Sequence, residues 1–207
     1  MDYSADIGAR EHTTEDTADQ RGAPRYISLI RAAKLACGKG EFVCVIRDVS
    51  TTGISLRTFH TPPADPAMAI VLQNGESYAI HEVRRGASEA SYRFAEPVEV
   101  DGLIRETSIY PKRQIRLDLV VPCRIRANGA SLDAVTINLS QQGARVECDA
   151  PLAIDQTVEL SASGLFETQA KVRWRRERHY GLVFENTLSL GDFARLAARV
   201  QCPALLD

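Results

Sequence analysis

The amino-acid sequence predicts a mainly all-β protein: two small antiparallel β-barrels in tandem, followed by a short C-terminal helix. Short β-branched and aromatic runs recur between turns rich in Gly, Pro and Asn, the pattern of small barrels. One signature occurs twice, as Asp48-Val49-Ser50-Thr51-Thr52-Gly53 and as Asn138-Leu139-Ser140-Gln141-Gln142-Gly143, 138 − 48 = 90 residues apart. Helical periodicity is confined mainly to the end of the chain. A length of 207 residues accommodates two domains of about 100 residues each.

Residues 1–20 are polar, acidic and without apolar periodicity, so they read as a mobile tail. The first barrel is expected over residues 21–95. Ile27, Leu29 and the 33–36 stretch lead through a Gly38-Lys39-Gly40 turn into Phe42-Val43-Cys44-Val45-Ile46, which runs into Asp48. The second barrel, with the helix, is expected over residues 110–207 and repeats this arrangement. A strand over 117–125 precedes an Asn128-Gly129 hairpin turn, and Ala134-Val135-Thr136-Ile137 runs into Asn138. Each signature is followed by a short strand, a Pro-bearing loop (Pro62-Pro63 or Pro151), a further strand, and a closing hairpin from Tyr78 to Phe94 or from Thr168 to Phe184. Between the halves, residues 96–109 read as a linker, because charge, Pro97 and Gly102 interrupt the strand pattern. Ser189 caps a helix that Pro203 stops, and its stripe of Phe193, Leu196, Ala197 and Val200 is expected to pack on the second barrel.

Composition excludes several classes of function. Lys+Arg 25 against Asp+Glu 27 leaves a net charge of −2, which argues against a protein that coats nucleic acid. The five cysteines form no C-x-x-C pair and match no zinc spacing with the histidines, so no metal is assigned; they read as core residues of a reduced, cytoplasmic protein. No signal peptide or membrane-length apolar run is present, so no membrane insertion is expected.

The chemistry lies in the signatures and in the arginines upstream of them. Arg21 and Arg25 form an R-x-x-x-R pair where the tail meets the first strand. A planar guanidinium makes paired hydrogen bonds to phosphate or to a guanine edge and also stacks on a base. Asp48 and Ser50, alternating with apolar neighbours, are expected on one face of the sheet, the carboxylate accepting from guanine N–H groups and the hydroxyl meeting a base or phosphate edge. Gly53 is read as a positive-φ turn residue.

R-x-x-x-R followed by D/N-x-S-x-x-G across a small β-barrel resembles the PilZ domain. The resemblance covers about residues 21–95 and 110–200, and it implies a receptor for the bacterial second messenger cyclic di-GMP. Arg21, Arg25, Asp48, Ser50 and Gly53 match the family's ligand-binding positions. The second half carries a counterpart set: Lys112, Arg113, Arg116, Asn138, Ser140 and Gly143. It departs from the pattern at Lys112, where lysine lacks the forked, stacking contact of arginine. The late hairpin of the family is matched by Val172-Arg173-Trp174 and Tyr180-Gly181-Leu182-Val183-Phe184, whereas Val83-Arg84-Arg85 and Tyr92-Arg93-Phe94 lack the glycine.

The resemblance implies a bacterial signalling receptor that binds cyclic di-GMP without changing it, uses no cofactor, and acts on an effector protein in motility, surface attachment or polysaccharide export. Ordering of the Arg21 to Arg25 segment by phosphate is the expected first event. Oligomeric state, a homodimer included, is left open. The competing reading is a degenerate pair of barrels that serves as a nucleotide-independent interaction platform. An enzyme is not expected, since no histidine or lysine is placed to activate Ser50 and no glycine-rich phosphate loop opens a helix. The basic hairpin from Arg173 to His179 reads as a solvated β-turn, Trp174 as a core residue, and His60, His81 and His179 as isolated residues without a catalytic or metal role.

Overall fold

The structure, a computed structural model, describes residues 26–104, 114–162 and 165–206. The first barrel is formed by β1 (Tyr26–Cys37), β2 (Gly40–Val49), β3 (Gly53–Arg57), β4 (Met68–Val71), β5 (Ser77–Arg85) and β6 (Glu89–Phe94), closed in the order β1-β2-β3-β6-β5-β4. Leu35, Phe42, Ile46, Leu56, Ile70, Ile80 and Tyr92 fill its interior.

The second barrel has the same topology. Its strands are β7 (Arg116–Leu117), β8 (Pro122–Ala127), β9 (Ala130–Ser140), β10 (Gly143–Cys148), β11 (Thr157–Ala162), β12 (Phe166–Arg176) and β13 (His179–Phe184). The sheet runs β10-β13-β12-β11-β8-β9-β7, and the β10–β9 pairing closes the ring. At the β8–β9 hairpin Asn128 (φ 50°) and Gly129 (φ 79°) both take left-handed conformations, as a two-residue hairpin of this type requires.

The strand expected over 117–125 is broken into β7 and β8. Proline at 122 has no N–H for the ladder, and the buried Thr136 hydroxyl inserts into the gap, accepting from Val121 N at 2.9 Å and donating to Leu119 O at 2.6 Å.

The repeat extends beyond the strands. Phe94 and Val98 donate to the Thr52 and Thr51 carbonyls, just as Phe184 and Leu188 donate to those of Gln142 and Gln141, each 90 residues on. A helix comes next in both halves: α1 (Val100–Ile104), within the segment expected as linker, and α2 (Leu190–Gln201) at the end. The short α1 places Val100 and Leu103 in the first core. At the start of α2, Ser189 accepts from Asp192 N at 3.1 Å and its hydroxyl donates to the Asp192 carboxylate at 2.6 Å, the cap expected from sequence.

Helix α2 differs from expectation in what it covers. Phe193, Ala194 and Ala197 belong to the second barrel's core, together with Val43 from β2, whereas Ala198 belongs to the first. The helix therefore lies between the barrels instead of serving the second alone. Residues 42–46 of β2 are all buried, Phe42, Cys44 and Ile46 in the first core and Val43 in the core it shares with α2. An uninterrupted apolar run is the signature of a strand covered on both faces. Gln201 fastens the contact: Glu41 N donates to its Oε1 at 2.8 Å and its Nε2 donates to Glu41 O at 2.7 Å. The Glu41 carboxylate reaches both Lys34 Nζ (2.6 Å) and Asp118 N (3.0 Å), so one side chain ties β1 to the segment between β7 and β8.

Cys44, Cys123 and Cys148 are buried and Cys37 and Cys202 half-buried, all as free thiols. Burial pushes the Cys123 thiol up to about 11, so it remains protonated. Among the described residues no group of His, Cys, Asp and Glu is placed to hold a metal ion, and no helix is long and apolar enough to cross a membrane.

His60 is 7% exposed, edge-on to Phe42 with ring centroids 5.6 Å apart, and its Nδ1 lies 2.9 Å from the Thr61 carbonyl. Burial lowers its basicity below the ordinary 6.5, outweighing the opposite pull of the carbonyl. The unfolded chain therefore takes up a proton near pH 6.5 while the folded chain still resists it. The stability contribution is full above that pH and is lost as pH falls towards the folded value. The urea midpoint should fall between about pH 7.5 and pH 5.5, and fall less in His60→Gln. An equal fall in both proteins would place the titration elsewhere.

Candidate functional site

Both signatures lie where a strand is irregular. In β2, Ile46 pairs with Leu56 and Asp48 with Ser55, leaving Arg47 as an extra residue. In β9, Thr136 pairs with Val146 and Asn138 with Arg145, leaving Ile137 extra. Ile46 and Thr136 point inward and are buried, so regular alternation would bury Asp48 and Asn138 as well. The bulge reverses the alternation, bringing each polar side chain to the outer face while Val49 and Leu139 return to the core.

In the first barrel, Asp48 is half-buried on that face, across from Ile27 on one side and Ser55 on the other. Tyr26 pairs with Val49, so the chain enters β1 directly beside the signature. Arg21 and Arg25, together with the expected tail, lie outside the described residues. In the second barrel, Leu117 pairs with Leu139 and Arg116 with Ser140. Arg116 precedes Leu117 as Arg25 precedes Tyr26, so the strand register agrees with the alignment of these two arginines. Arg116 Nη1 donates to Asn138 Oδ1 at 3.4 Å, joining the two parts of the expected second set. Lys112 and Arg113 lie outside the described residues.

The serines build the turn that comes after. Ser50 N donates to Gly53 O at 2.8 Å, Gly53 N donates to Ser50 Oγ at 3.0 Å, and that hydroxyl reaches Gly53 O at 3.3 Å. Ser140 Oγ likewise donates to Gly143 O at 3.2 Å. Both side chains are buried by these contacts, Ser50 to 9% and Ser140 to 4% exposure, so each supports the polar residue two positions earlier.

The positive φ expected at Gly53 is absent: it is not among the left-handed glycines, which are Gly40, Gly75 and Gly129. In the second signature the glycine answers instead to close approach of the neighbouring strand. A methyl group on Gly143 would be driven into the Leu182 carbonyl of β13. On Gly53 it would meet only ordinary contact, with Tyr92 O at 3.4 Å.

The second signature borders a cleft of about 680 Å³ between the barrels. Arg116, Ser140 and Gln142 line it from the second barrel, Lys34 and Gln73 from the first. Sequence reasoning missed Lys34 and Gln73, because the relation between the barrels is set by α2 and Glu41, which no local motif announces. It also missed Arg145, opposite Asn138, although its place two residues after Gly143 on a strand marks it as outward-facing.

Trp174 is 41% exposed, a correction to its expected place in the core. The cause is another bulge: Val172 pairs with Leu182 and Trp174 with Gly181, leaving Arg173 extra and turning the indole outward. Its ring lies on Gly181, where any side chain would collide with it, and this is the role of the hairpin glycine. The adjoining turn is exposed as expected, with Arg173 paired to Asp155 and Arg178 to Glu147 and Asp149.

Comparison with known proteins gives one family match: residues 111–201, the second barrel and α2, match the PilZ domain. Among curated proteins there is no match. Solved structures similar to the chain include the PlzA protein of Borreliella burgdorferi in complex with c-di-GMP, at 13% identity over 83% of this chain and 87% of that one, with a TM-score of 0.33. The Bacillus subtilis inhibitor of motility MotI/DgrA shows 14% identity over 86% and 98%, with a TM-score of 0.36. YcgR from Escherichia coli in complex with c-di-GMP shows 13% over 77% and 76%, with a TM-score of 0.29. Likeness at this level has no bearing on what the chain binds.

The two signature glycines should respond differently to one added methyl group. Gly143→Ala is expected to destabilise the fold by about 1–3 kcal/mol through overpacking, whereas Gly53→Ala should stay within about 0.5 kcal/mol of the parent. Urea denaturation measures both, and equal costs would refute the close-approach explanation.

Proposed function

We propose that this chain, whose residues 111–201 match the PilZ domain, is a cyclic di-GMP receptor which binds the messenger unchanged and signals to a partner protein. The observation that carries this reading is the duplicated bulge-and-signature device, which presents Asp48 in one barrel and Asn138 in the other on an outer face beside the point where the chain enters.

At each site the arginine segment supplies charge and stacking for the phosphates and rings, and the signature reads the base edge. Arg21, Arg25, Asp48, Ser50 and Gly53 form the first set. Lys112, Arg113, Arg116, Asn138, Ser140 and Gly143 form the second. Because Arg116, Ser140 and Gly143 of the second set border the cleft, a ligand held there touches both barrels and favours one angle between them. That change is the signal passed to an effector, in keeping with motility, attachment or polysaccharide export as the outputs that the resemblance implies. Turnover has no support in the residues, since the Ser50 hydroxyl is committed to its own turn.

Calorimetric titration of the purified chain with cyclic di-GMP tests the reading directly. Saturable heat is expected, with Arg25→Ala weakening binding more than Lys112→Ala; no heat would favour the interaction platform, and equal losses would mean a misassigned principal site. Asp48→Ala should cost about 1–3 kcal/mol of binding, and an unchanged affinity would remove its base-reading role.

A further inference from the structure

Resting on the receptor reading above, we propose that Arg145 is a ligand-contacting residue of the second barrel, outside both motifs, which supplies the guanidinium that Lys112 lacks. Arg145 pairs with Asn138 on one side and with Gly181 on the other. Directly opposed residues share a face, so Asn138, Arg145, Gly181 and Trp174 form one row across four strands on the outside of the barrel.

The Arg145 side chain is half-buried, and its Nε is buried with no hydrogen-bond partner among the described residues. Other arginines of this barrel, including Arg126, Arg173 and Arg178, are paired with carboxylates. No ion pair of Arg145 is found among the described residues. A half-buried, permanently charged guanidinium without an ion pair calls for an acceptor, and an anionic phosphate or the O6 and N7 edge of a guanine supplies one to its accessible nitrogens.

The first barrel has no equivalent. Its signature carboxylate Asp48 faces Ser55, 145 − 55 = 90 residues before Arg145. The corresponding pairs therefore carry charges of −1 (Asp48, Ser55) and +1 (Asn138, Arg145), a difference of two in favour of anion binding at the second site. One barrel reads its ligand with a carboxylate acceptor, the other with an amide beside a guanidinium. The second site is then tolerant of Lys112, because a forked donor comes from the barrel wall.

The test uses the full chain and cyclic di-GMP in calorimetry, with Arg25→Ala and Asp48→Ala combined so that the remaining heat reports the second barrel. On that background Arg145→Ser should weaken binding by about ten- to a hundredfold and make the remaining affinity less sensitive to salt. Arg145→Lys, which keeps the charge and the aliphatic stem but loses Nε, should lie between the two. Thermal melting like that of the background shows that the loss is not unfolding, and Arg145→Lys serves as the readout if the serine variant melts early. Arg145 variants that bind within twofold of the background overturn the proposal while leaving the receptor reading intact. So does a background that binds nothing when the unmodified chain binds. Absence of heat from the unmodified chain defeats both.

Discussion

The arrangement depends on one strand being buried on both of its faces. Strand β2 turns Phe42, Cys44 and Ile46 into its own barrel and presses Val43 into the core shared by the second barrel and α2. Full burial of a Val-sized side chain contributes roughly 1.5–3 kcal/mol, so Val43 alone favours contact between the barrels substantially. The apolar contact has little directionality, and the polar groups around it supply that. Gln201 pairs with the backbone of Glu41 as a neighbouring strand would, and the Glu41 carboxylate bridges Lys34 and the Asp118 amide. The cleft beside the second signature has its shape because these contacts hold two closed barrels together along this line.

Within each barrel the decisive device is the bulge. A closed sheet alternates strictly between core and surface, which leaves no simple way to place a polar side chain outward two residues after an inward one. An extra residue at Arg47 or Ile137 solves this for Asp48 and Asn138, and one at Arg173 does so for Trp174. The serine and glycine that complete the signature then fix the adjoining turn and admit the next strand. The two barrels share this machinery but differ in the residue facing it, Ser55 in one and Arg145 in the other.

Much of this was legible from residue types. The Asn128-Gly129 hairpin, the Ser189 cap, the two barrels and the paired signatures all rest on local chemistry that acts the same way in any context. Errors arose where one residue shifts the phase of a strand. Trp174, two positions from the buried Val172, reads as a core residue unless the bulge at Arg173 is known, and period-two alternation cannot reveal a bulge. Gly53 and Gly143 show a different limit: a motif glycine suggests backbone freedom or close approach, yet the neighbouring strand demands close approach only at Gly143. The shared role of α2 was hidden because its stripe is equally apolar whether it meets one barrel or two. The candidate site was visible as two motifs, but its setting between barrels depends on Glu41 and Gln201, 160 residues apart.

The position of α2 also bears on how the chain is made. The first barrel leaves the ribosome well before α2 is synthesised, and domains generally fold in that order. Until the second barrel and α2 emerge, Val43 lacks its cover and Glu41 lacks the Gln201 amide. The nascent N-terminal barrel thus spends part of translation with a sticky flank. A chain cut short within the second barrel would retain that flank permanently, making premature termination a route to aggregation rather than to a functional half-protein.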